Sequence, residues 1–166
     1  MQLVRAWVRY AAVAMLVGGL ALPGTALAAK DPTYRAHRGK IVFKNKSFQH
    51  TGDAEAFHKE VQAAAKSRTL VADKEGSWSF HFIAFLKRKP GSSKVNLVFY
   101  RKGAKKGSPI DFVGYDTGDP QALLLQASAT LTSEAGFKPG DRIQALITRL
   151  VNGKEIRYAE CSFTLN

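Results

Sequence analysis

The chain has 166 residues, with 25 Lys and Arg against 13 Asp and Glu, a formal net charge of +12. A single cysteine, Cys161, excludes an intramolecular disulfide, so stability must come from packing. With 45% hydrophobic residues and no low-complexity tract, the length suits one domain that buries a core of its own.

The first 28 residues read as a secretory signal peptide. Arg5 and Arg9 make a positive start, Tyr10 to Leu22 an apolar run, and Pro23-Gly24 a break. Ala26-Leu27-Ala28 places small residues where a signal peptidase needs them, which predicts cleavage before Ala29. The apolar run is shorter than the roughly 20 residues of a membrane-spanning helix. No cysteine lies near the cleavage point to carry a lipid, and no adjacent arginine pair precedes the run, so the general secretory route is expected. Two of the cations and none of the acids lie in this segment, so its removal leaves 138 residues carrying +10. The mature chain is expected to have no transmembrane segment and to work in a bacterial periplasm or in the medium.

Residues 29–39 are polar, contain a proline and show no periodicity, which predicts a flexible lead-in to a single domain over 40–166. A β-rich run follows from Lys40 to Gln49. Asp53 then reads as an N-cap, with Phe57, Val61 and Ala64 or Ala65 at helical spacing, and Lys66 and Arg68 where the helix dipole favours cations. From Ser77 the period changes to two. Trp78, Phe80, Phe82, Ala84 and Leu86 form one apolar face, Val95, Leu97 and Phe99 the next, and Pro109 to Val113 a short strand. Leu123, Leu125, Ala127, Ala129 and Leu131 alternate again. Arg142 to Val151 and Glu155 to Leu165 flank Asn152-Gly153, a strong type I′ hairpin signal. Ala159, Cys161, Phe163 and Leu165 share the last face, which predicts a buried, unreactive thiol.

About seven strands joined mainly by hairpin-length loops, with one helix between the first two, predict a mostly β chain. The expected architecture is an antiparallel β-sandwich, Ig-like in strand count, with a closed barrel as the alternative. No family is claimed from these features.

Catalytic signatures are weak. Asp116-Thr117-Gly118 matches the core of the aspartic-protease motif, but that chemistry needs two aspartates sharing a proton and the chain has one copy. Asp111, Asp116 and Asp119 fall short of the oxygen count of a Ca²⁺ site. Glu55 and His58 share a helix face without a second such pair, and His37, His50, His58 and His81 read as surface residues. No catalytic residue, cofactor or metal ligand is assigned.

The positive charge concentrates in two loops, Lys87, Arg88, Lys89 and Lys94 in one, and Arg101, Lys102, Lys105 and Lys106 in the other. These are the candidate anion-binding residues. Consecutive hairpin loops lie at opposite ends of a sandwich, about 20 Å apart for six strand residues. With only Tyr100 and Tyr115 as outward rings nearby, the pattern disfavours nucleic acid, which wants a continuous basic stripe with aromatics. The sequence therefore points to an exported, non-enzymatic binding module for an envelope protein or an anionic polymer such as an acidic glycan. The alternative is a hydrolase of an envelope polymer using carboxylates from separate loops, which leave no local motif.

Overall fold

The computed structural model describes residues 31–49, 53–103 and 108–166; the expected signal peptide, His50, Lys105 and Lys106 lie outside the described residues. The chain is mostly β, with eight strands in two sheets and two helices.

The 29–39 stretch, expected to be a flexible lead-in, forms helix α1 (Pro32–His37) over most of its length. Asp31 caps it, its carboxylate accepting from Thr33 N (2.6 Å) and Tyr34 N (3.1 Å), and Pro32 starts it with φ already set. Strand β1 (Ile41–Lys44) follows, then helix α2 (Ala54–Ala64). Asp53 caps α2 as expected, accepting from Glu55 N at 2.8 Å and Ala56 N at 3.2 Å. The remaining strands are β2 (Thr69–Leu70), β3 (Trp78–Phe85), β4 (Lys94–Arg101), β5 (Asp111–Asp116), β6 (Leu124–Leu131), β7 (Arg142–Val151) and β8 (Lys154–Leu165). The two-residue β2 is the strand the periodicity could not show, being too short to alternate.

One sheet has the order β1-β3-β6 and the other β2-β8-β7-β4-β5, all antiparallel except β2 beside β8. Only β4–β5 and β7–β8 are hairpins; the β3–β4, β5–β6 and β6–β7 connections cross from sheet to sheet. At the β7–β8 turn Asn152 has φ 50° and Gly153 φ 74°, the positive pair that a type I′ turn requires.

Residues of both sheets share one core, in which every expected residue of the Trp78–Leu86 and Val95–Phe99 faces is buried. A second, smaller core covers the outer face of the three-stranded sheet. There Val42, Ile83 and Phe85 pack under Tyr34 of α1 and Val61 and Ala64 of α2. Leu123, expected on the inner face with Leu125, belongs to this second core.

Strand β8 changes face midway. Ile147 pairs with Ala159 but Thr148 with Arg157, so Tyr158 is an extra residue in the ladder. This bulge puts Tyr158 and Ala159 both into the core, with Phe163 and Leu165 beyond them. The sheets touch at a corner beside the bulge, where Glu160 N donates to Gly39 O (3.0 Å) and Lys87 N to Tyr158 O (2.8 Å). At the opposite seam the Tyr115 hydroxyl of β5 donates to Ser128 O of β6 at 2.6 Å. Tyr115, expected to point outward, instead meets Phe82 edge-on at 5.6 Å, because Val113 and Tyr115 share the inward phase of β5. Burial pushes its phenol up to about 12.

Candidate functional site

The first basic loop is held by its backbone and leaves its side chains exposed. Pro90 O accepts from Arg149 Nη1 (2.8 Å) and from the Tyr158 hydroxyl (3.3 Å), and Gly91 N donates to Pro120 O (3.0 Å). Lys87 is fixed from both sides, its N–H on β8 and its carbonyl oxygen accepting Nε and Nη2 of Arg38 at 2.9 and 2.7 Å. Arg88 lies over the Tyr158 ring, 5.7 Å from its centroid. Every one of these anchors comes from outside the loop, so Lys87, Arg88 and Lys89 project from a rigid base.

Helix α1 completes the arrangement. Arg35 and Arg38 join Lys87, Arg88 and Lys89 around a groove of about 580 Å³, floored by Tyr34 and Leu123 and lined by no carboxylate. The helix is docked by its Tyr34 hydroxyl, which donates to the buried Leu86 carbonyl at 2.6 Å. Gly39 follows it with φ 81°, and a Cβ there would lie 2.5 Å from Lys87 Cε, so the Lys87 stem runs directly across this residue. The two arginines lie in the 29–39 stretch, which has no periodicity and is therefore expected to be a flexible lead-in. The signal for them was Asp-Pro, an N-cap followed by proline at the first helical position.

The second loop does not form a matching cluster. Arg101 makes a two-pronged ion pair with Asp141 (Nε to Oδ1 3.0 Å, Nη2 to Oδ2 2.8 Å) and also donates to Gly136 O, so it closes the β4–β7 end. The hydrogen bonds from Arg101 hold the Asp141 carboxyl below the usual range. Lys102 lines a different groove with Lys40, Arg68 and Arg142. Lys94 opens β4 opposite Asp116 and lines neither groove.

The acids expected to be turn residues are used locally. Asp111, Asp116 and Asp119 accept from Phe112 N, Gly118 N and Gln121 N, each at 2.8 Å, and no group able to hold a metal ion occurs among the described residues. Neither groove is lined by a pair of carboxylates. Two histidines depart from the expected surface position. His37 is 7% exposed against Phe85, a consequence of α1 docking, and His58 Nδ1 joins the two helices through Thr33 Oγ1 at 2.8 Å. Tyr100 lies on the outer face with its hydroxyl donating to Glu155 (3.3 Å). No helix among the described residues is long and apolar enough to cross a membrane.

No protein-family model matches the chain, and no curated protein matches it.

Proposed function

We propose that the protein is an exported, non-enzymatic β-sandwich module that binds an anionic polymer, an acidic glycan of the cell envelope or medium, through the groove of Arg35, Arg38, Lys87, Arg88 and Lys89. The observation that carries this reading is the convergence of five cations from two separate elements on one groove without a carboxylate. Like charges so close repel one another, which costs stability unless an anion is taken up. The sandwich is supported by two sheets that share one core. Export rests on the sequence pattern of residues 1–28.

A polymer fits better than a small ligand. The groove is open and takes its cations from the α1 end and a loop, with Arg38 held on the Lys87 carbonyl. Repeated acidic groups can meet such a cluster in several registers. The test is retention of the purified protein on an immobilised uronate or sulfated polysaccharide at low salt. Replacing Lys87, Arg88 and Lys89 together by Ala is expected to abolish most of the retention, while Lys94→Ala leaves it unchanged. Equal loss from both changes would reduce the binding to bulk charge and contradict a site.

A further inference from the structure

Strand β8 changes neighbours along one edge. Glu160 N donates to Gly39 O beside β1, whereas Thr164 N donates to Arg68 O (2.9 Å) and Asn166 N to Leu70 O (2.8 Å) beside β2. Alternate residues of a strand aim their N–H groups to the same side. Ser162 N–H therefore points to this edge too, between the isolated Lys40–Glu160 bridge and the β2–β8 ladder that begins at Thr164, and belongs to neither. It opens on a groove of about 550 Å³ between β1, the end of α2 and β8.

That groove carries Arg68, Lys102, Arg142 and Lys40 against one acid, Glu160. Glu160 is occupied by the Gln144 amide at 3.2 Å, and the Lys40 ammonium is turned to Ala36 O at 3.4 Å. Arg68 is fixed in place, since its Nη1 donates to Ala65 O and Ser67 O, both at 2.8 Å. Its Nε and Nη2 remain for a ligand. Arg142 and Lys102 are exposed, and neither makes an ion pair among the described residues.

We propose that this groove is a separate site for a phosphate group, held by the Ser162 N–H together with Arg68, Arg142 and Lys102. A backbone N–H left outside both pairings, beside a pre-positioned guanidinium, is oxyanion-binding chemistry. Three cations facing a single, already engaged carboxylate suit a dianion better than a carboxylate ligand. The site is independent of the polymer groove, with which it shares no lining residue, and either can fail alone.

The test is a titration of the ¹⁵N-labelled protein with sodium phosphate, following the Ser162 amide at constant ionic strength. A saturable shift centred on Ser162 is expected. Arg142→Gln and Lys102→Gln, both exposed, should each weaken it about tenfold. Arg88→Gln, in the other groove, should leave it unchanged, and the untouched amides report that each variant is folded. Glycerol phosphate is the second arm. Tighter binding of the ester assigns the site to a phosphate-bearing headgroup or glycan, and tighter binding of the free ion assigns it to inorganic phosphate. No saturable shift at Ser162, an equal response to acetate, or wild-type affinity in both variants would overturn the proposal.

Discussion

His37 is buried against Phe85 with ring centroids 5.4 Å apart, and its Nδ1 has no hydrogen-bond partner among the described residues. Burial lowers its pKa from the ordinary 6.5, and the electrostatic influence of Lys40 and then His58 lowers it further. The unfolded chain therefore binds more protons than the folded one between 6.5 and that lower value. The stabilisation from the neutral ring is complete above this window and is lost as the pH falls through it. Urea midpoints should drop between about pH 7.5 and about pH 5.5, and His37→Phe should flatten the slope; an unchanged slope in the variant would assign the effect to another group. Asp141 acts further down, its stabilisation by Arg101 lost only as the pH falls below the ordinary carboxylate value of 3.8. Cys161, expected to be buried, is half-buried and lines the groove beside Ser162, yet its sulfur is largely withdrawn from water. Desolvation pushes its thiol up to about 12, against which the Arg68 charge works only in part. Alkylation of the native protein should be markedly slower than that of the unfolded chain. Comparable rates would mean that β8 is not held in its register.

At the scale of elements, α1 is the piece on which the polymer groove depends, and one buried hydrogen bond docks it. Tyr34→Phe leaves the Leu86 carbonyl without its 2.6 Å donor and should cost about 1–3 kcal/mol. Hydrogen exchange at the α1 amides should rise in the variant while the β7–β8 amides stay protected. Equal loosening of both would show that α1 and the sheets unfold as one unit. The sequence displayed α2, the β3 and β4 faces and the β7–β8 turn plainly, because each satisfies one rule over its whole length. It hid what depends on two rules at once. In β3 the alternation of Trp78, Phe80 and Phe82 runs into Ile83 and Phe85, which are buried on the opposite face. Those two residues called for a cover that α2 alone does not supply, and α1 was the missing part. Likewise the parity of Ala159 to Leu165 was readable, but the Tyr158 bulge that sets it lies in the pairing with β7 and not in the local pattern.

Across the whole molecule the same distinction separates the two basic loops. Composition could place charges on loops, but only the pairing of distant elements decides which are spent internally. Arg101 is consumed by Asp141, forty residues away in sequence, whereas Lys87, Arg88 and Lys89 gain two arginines from a helix some fifty residues earlier. Nine of the cations thereby line two grooves, and the first of them carries the proposed function. Its direct measure is the affinity for a uronate polysaccharide as a function of salt, for the wild type and for Lys87, Arg88 and Lys89 replaced together by Ala. Between 0.01 M and 0.15 M salt the Debye length shrinks from about 30 Å to about 8 Å. Wild-type affinity should fall steeply over this range, while the variant should start weaker and fall with a visibly shallower slope. Parallel slopes, with wild type and variant equally tight at low salt, would contradict a site in this groove.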